Sequence, residues 1–121
     1  MGLRLTLSLN GIMTNINVEL FEQLRVLMGE KFKLLIDTYI SDNSSRIDQL
    51  QVAIKGENWS EVRELSHAMK SSSANIGATE LSLFCQQIES DSVNNVDEIK
   101  LKYDRLRNEF QAVVSCLNNN R

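Results

Sequence analysis

Val96, Ile99, Tyr103, Leu106, Phe110, Val113 and Leu117 follow one another at spacings that alternate strictly between three and four. At roughly 100° per residue this rhythm brings all of these side chains onto one helix face. A helix with one apolar stripe and an otherwise polar surface is not stable alone in water, so the chain must supply other stripes to cover it. It does so three more times. Phe32, Leu35, Ile36, Tyr39, Ile40, Ile47, Leu50 and Ile54 recur at helical spacing over residues 30–55, with Gly56 as a stop and a polar run at 41–45 that is expected to bend the helix locally. Val62, Leu65, Met69, Ser72 and Ile76 mark the buried face of a third helix, and Leu81, Phe84, Cys85 and Ile88 that of a fourth over residues 79–90. A shorter stripe of Leu20, Phe21, Leu24, Leu27 and Met28 begins at Asn17, ends at Gly29 and is expected to cover one end of the core.

The boundaries fit this division. Asn58 with Glu61, and Asn95 with Glu98, have the spacing of a capping box, in which the amide oxygen accepts from an early backbone N–H and the carboxylate reaches back to the cap. Gly77 can adopt the left-handed conformation that closes the third helix, and Thr79 can cap the fourth. The absence of proline and the presence of only five glycines among 121 residues suit helices joined by short turns. The expected fold is all-α, an antiparallel up-down-up-down four-helix bundle with an additional short N-terminal helix. The link Ile76-Gly77-Ala78 makes the third and fourth helices hairpin partners. The length suits one domain that buries its core without disulfides or metal.

The first residues follow a different period. Leu3, Leu5, Leu7 and Leu9 alternate with Arg4, Thr6, Ser8 and Asn10, which is the pattern of a strand or extended tail. A lone strand has no partner in a helical chain, so residues 1–14 read as an extension appended to a bundle domain of residues 15–118, with Met13 as a natural start. Met1-Gly2 with Thr6 meets the loose myristoylation pattern, a motif short enough to recur by chance.

The formal charge of −3 and the absence of basic residues interleaved with aromatics argue against nucleic acid as a partner. No stretch approaches the ~20 apolar residues that span a bilayer, and the N-terminus lacks the continuous apolar segment of a signal peptide. A soluble, cytoplasmic protein without membrane contact is expected. Cys85 and Cys116 lack the spacing of a zinc site and read as reduced packing residues.

His67 is the only histidine. It points about 170° away from the apolar sector of its helix, among Ser60, Arg63, Glu64, Lys70 and Ser71. Facing water, its ring nitrogens are available to an incoming partner. Glu64-x-x-His67 has the ligand spacing of di-metal bundles, but those sites need a second such element and inward-facing carboxylates, so no metal is expected. Ser66, Ser71, Ser72 and Ser73 lie near the histidine without the orienting acid, oxyanion hole or pocket of a hydrolase. Ser72 and Ser73 read as small residues that allow close helix approach, their hydroxyls returning to backbone carbonyls one turn earlier. An exposed imidazole can attack a reactive phosphorus centre if a partner brings the activated phosphoryl group and the metal. Lys70 and Arg63 can then offset the added negative charge, or remain ordinary solvated charges.

The run His67-x-x-Lys70-x-Ser72-Ser73-x-x-Ile76-Gly77-Ala78-x-x-Leu81-x-x-x-Cys85-x-x-Ile88-Glu89 resembles the signature of histidine phosphotransfer (HPt) domains. The resemblance implies that His67 accepts a phosphoryl group from a receiver-domain aspartate and passes it to a second one, as a carrier without ATP-dependent kinase activity. It also implies Mg²⁺ supplied by the receiver, with no cofactor bound by this chain. Lys70 would aid phosphate electrostatics, Ser72, Ser73 and Gly77 would shape the helix hairpin, and the receiver would dock over the face containing Ser60, Glu64 and Ser71. Ser71 stands where the family pattern usually has glycine, and its hydroxyl either loosens docking or hydrogen-bonds a phosphate oxygen. Met69 replaces a usual leucine at similar volume. The competing reading is an interaction-only bundle that binds a receiver or kinase without accepting phosphate.

Overall fold

The computed structural model describes the backbone of residues 4–9, 12–91 and 96–121, and side chains within these segments from Ile16 onward. Among the described residues the chain forms a β-hairpin followed by helices. The strands are β1 (Arg4–Leu9) and β2 (Ile12–Asn17), and the helices are α1 (Val18–Met28), α2 (Phe32–Lys55), α3 (Trp59–Asn75), α4 (Thr79–Asp91) and α5 (Val96–Asn120). A single 3₁₀ turn, Gly29–Lys31, joins α1 to α2. Among the described residues the closest backbone approaches within the bundle run from α2 to α3, α3 to α4, α4 to α5 and α5 back to α2. That closed ring is the up-down-up-down bundle expected from the four stripes.

The α5 stripe is buried as its spacing predicts, with Ile99, Leu106, Val113 and Leu117 almost fully enclosed. Each such side chain contributes about 1.5–3 kcal/mol relative to exposure. The α3 face is rotated from expectation. Val62, Ser66, Met69 and Ser73 are the buried set, while Leu65 and Ser72 are only half-buried. Two serines therefore occupy core positions, and their small volume allows the neighbouring helices to come close. In α1 only Phe21 is fully buried, with Leu24 and Met28 partly so. Leu27 is 80% exposed, contrary to its assignment to the covered side. The helix is attached through Phe21, whose ring meets Phe32 edge-on at 5.2 Å, and through Arg25, which lies over both rings. This attachment turns Leu27 outward.

The polar run at 41–45 lies within one unbroken α2. Asn43 from that run is fully buried on the stripe between Tyr39 and Ile47.

The expectation that the period-two segment has no partner is corrected. β1 pairs antiparallel with β2, from Arg4 opposite Asn17 to Leu9 opposite Ile12. The dipeptide between the strands, Asn10-Gly11, lies outside the described residues. β2 lies against α4 and α5 and places Ile16 in the core. Asn17 ends the hairpin and caps α1, its side chain accepting from the Leu20 N–H at 3.1 Å.

Candidate functional site

The site begins with how α3 is fixed at both ends. At its start, Asn58 Oδ1 accepts from the Glu61 N–H at 3.3 Å. The reciprocal arm differs from a capping box, because Glu61 accepts from the Asn58 side-chain amide and the Asn58 backbone N–H is taken by the Ala53 carbonyl. The cap at Asn95 lies outside the described residues. At the end of α3 the Ala78 N–H reaches the Ser73 carbonyl and the Gly77 N–H reaches the Ala74 carbonyl, the paired bonds of a Schellman motif. Gly77 sits at φ +90°, and a Cβ there would lie 3.2 Å from the Asn17 carbonyl oxygen. The Gly77 carbonyl accepts from the Asn17 N–H at 2.9 Å, tying the hairpin to the α3–α4 turn. Thr79 is the first residue of α4 rather than its cap, and its buried hydroxyl has no hydrogen-bond partner among the described residues.

Laterally, α3 is registered against α2 by buried polar contacts. Tyr39 Oη and Ser73 Oγ are 2.8 Å apart, and the Asn43 amide donates both to the Tyr39 carbonyl and to Ser72 Oγ. The two serine hydroxyls thus bond across to α2 rather than back along their own helix as expected. Burial raises the Tyr39 phenol well above its ordinary range and keeps it neutral. On the other flank the Ser82 hydroxyl donates to the Lys70 carbonyl at 3.0 Å, holding α4 against α3.

His67 is exposed, with about 61% of its side chain accessible. Its Nδ1 lies 2.9 Å from Glu89 Oε2 on α4, and Lys70 Nζ donates to Glu89 Oε1 at 2.7 Å. One carboxylate therefore bridges the ring and the ammonium. Hydrogen bonding from Lys70, then from His67, holds the Glu89 carboxyl below its ordinary value despite an opposing desolvation effect. An ionised carboxylate only accepts, so in the neutral ring Nδ1 carries the proton and Nε2 carries the lone pair. Nε2 has no hydrogen-bond partner among the described residues, and the side chain that carries it is largely exposed.

His67 and Lys70 are thus brought together, by a residue not assigned to the site from sequence. Glu89 lies 22 positions from His67, so only the packing of α4 beside α3 reveals the link. Arg63 is exposed and makes no ion pair among the described residues. Ser60, Glu64 and Ser71 are also exposed. By helix angle these three lie on the flank away from Lys70, leading toward Ala68, Ser72 and Asn75. Those residues line a cleft of about 370 Å³ between α1, α2 and α3, whose opposite wall is Leu24, Met28, Leu35, Thr38 and Arg46. The histidine stands between a charged flank and a cleft of mixed lining that also holds Asp42.

Other candidates are placed away from chemistry. Ser66 is fully buried. Cys85 and Cys116 are free and buried, and burial pushes the Cys85 thiol up to about 12, leaving it protonated and unreactive. Among the described residues no cluster of three or more histidine, cysteine or acidic side chains could hold a metal, and no helix is long and apolar enough to cross a membrane.

Comparison with known proteins finds a family and similar folds. The family model described as Hpt domain matches residues 34–115. Histidine-containing phosphotransfer protein B from Pseudomonas aeruginosa superposes with a TM-score of 0.82 at 21% identity, over 86% of this chain and 91% of that one. A histidine-containing phosphotransfer protein from maize gives 0.76 at 23% identity, over 84% and 85%. The Saccharomyces cerevisiae phosphotransfer protein Ypd1, crystallised with the receiver domain of its response regulator Ssk1, gives 0.71 at 20% identity, over 79% and 87%. No curated protein sequence matches the chain.

Proposed function

This chain belongs to the Hpt domain family, and on that premise we propose that it is a phosphorelay carrier whose His67 takes a phosphoryl group from one receiver aspartate and gives it to another. The observation that carries the reading is the bond from His67 Nδ1 to the Glu89 carboxylate, which leaves Nε2 of the exposed ring without a partner among the described residues and free to carry the lone pair. In the forward step Nε2 attacks the phosphorus of an aspartyl phosphate, the N–P bond forms, and the aspartate oxygen leaves with the P–O electron pair. The ring gains positive charge as the bond forms, and the Glu89 carboxylate on the Nδ1 proton stabilises it. Lys70 keeps one N–H on Glu89 and has two more to offer to phosphoryl oxygens. Transfer to the second receiver reverses these events.

The partner supplies the activated phosphoryl group and, in our reading, the Mg²⁺ that screens it, while this chain acts as carrier without ATP-dependent kinase activity. Receiver domains of response regulators or hybrid kinases are the expected partners, in a cytoplasmic setting, docking over His67, the exposed Ser60, Glu64 and Ser71, and the adjoining cleft. The yeast relative's complex with a receiver domain supports this choice of partner.

Incubation with a phosphorylated receiver tests the proposal. The wild-type chain should acquire an acid-labile label as the receiver loses its own, and His67→Gln should stay folded and unlabelled. Retained acid-labile label in His67→Gln would refute the assignment. Binding by the wild-type chain without transfer of label would establish the interaction-only alternative instead.

A further inference from the structure

We propose that Arg46 is a specificity-determining residue for the incoming receiver, pairing with a carboxylate that the receiver presents beside an apolar anchor seated in the cleft next to His67. This rests on the carrier reading and extends it to the choice of partner.

The cleft supplies the first half of the argument. Leu24 and Met28 of α1 and Leu35 of α2 face Ala68 and Ser72 of α3, with Asp42 and Arg46 also in its lining. Ala68 lies one residue on from His67 and about 100° round the helix, so the edge of the cleft borders the flank of the face that carries the imidazole. An apolar centre with charged residues around it is the anatomy of a docking site that selects its partner.

The hydrogen bonding of Arg46 supplies the second half. An aspartate four residues before an arginine on a helix is its ordinary ion-pair partner, and Asp42 occupies that position. Among the described residues Arg46 makes no ion pair, and its Nη1 donates instead to Asn43 Oδ1 at 3.1 Å. Asn43 is itself fully buried and fixed by its bonds to the Tyr39 carbonyl and Ser72 Oγ. A neutral amide therefore aims the guanidinium without neutralising it. One N–H holds Asn43, and the remaining donors of the fork are left for a carboxylate. In a protein of net charge −3, a cation oriented by Asn43 and making no ion pair among the described residues, although Asp42 shares its cleft, favours an acidic group on the partner that can reach its remaining donors.

The test compares two donors of phosphate. Phosphoramidate is a small molecule that labels an accessible histidine without docking, whereas a phosphorylated receiver must dock. With the receiver that labels the wild-type chain, Arg46→Ala should raise KM about tenfold with little change in kcat, and Arg46→Glu should raise it further. Arg46→Lys, which lacks the fork, should recover only part of the loss. Phosphoramidate labelling of His67 should be unchanged in all three. One acidic residue of the receiver, changed to lysine, should restore transfer to Arg46→Glu. A wild-type KM for Arg46→Glu would overturn the proposal, as would an equal loss with both donors, which would indicate a structural role. If His67→Gln still takes label from the receiver, the carrier reading fails and this proposal falls with it, a result distinguishable from a failure at Arg46 alone.

Discussion

Glu89 bonds both the Nδ1 of His67 and the ammonium of Lys70, and in the proposed relay its carboxylate would fix the ring tautomer and hold Lys70 beside an incoming phosphoryl group. Glu89→Ala removes both effects, and we expect transfer to fall about tenfold, equivalent to about 1.4 kcal/mol of barrier. ¹⁵N NMR of the ring should show Nε2–H tautomer appearing in that variant; an unchanged tautomer ratio would contradict the role. The pH dependence has a definite sign. A carboxyl held below its ordinary value stabilises the fold above that value and loses the contribution as pH falls through the lowered one. The bridge should therefore persist below about pH 4.3, where ordinary glutamates protonate, as followed by the Glu89 side-chain carbon shift. At this scale the exposure of His67 was legible in the sequence, since the helical wheel needs only local spacing. Its partner was not, because the contact depends on where α4 lies beside α3.

Among the elements, the α3–α4 turn depends most sharply on one residue. Gly77→Ala would place a side chain at φ +90° with its Cβ 3.2 Å from the Asn17 carbonyl oxygen. A loss of about 1–3 kcal/mol is expected, read as a lowered denaturation midpoint with an unchanged slope. This closure was foreseen from the glycine and its position after an amphipathic run. The rotation of α3 escapes the sequence reading because Ser66 is a polar residue at a stripe position, and Ser72 rather than Ser73 is taken as the serine of the buried face. Asn43 was hidden the same way. Continuing the spacing Ile36, Tyr39, Asn43, Ile47, Leu50 through the polar residue would have exposed it as a core position. The second strand was missed although Ile12, Thr14 and Ile16 alternate after Asn10-Gly11.

For the whole molecule, the hairpin's contribution is open to direct measurement. A chain beginning at Met13 loses β1 but keeps Ile16 in the core and the Asn17 contact with Gly77. We expect it to retain the helical bundle and His67 labelling, with a lower melting temperature from the lost strand pairing. Loss of cooperative unfolding in circular dichroism would show that the bundle depends on β1.

The amino-acid order alone determined the helical segments, their stops, the four-helix arrangement and the outward histidine. These follow from short-range periodicity, which acts within a few turns of backbone. The tertiary structure decided the Glu89 bridge, the cross-helix bonds of Ser72 and Ser73, the held guanidinium of Arg46 and the docking of the hairpin. Each joins residues far apart in sequence, and the distance and orientation between them are set only when the helices pack side by side.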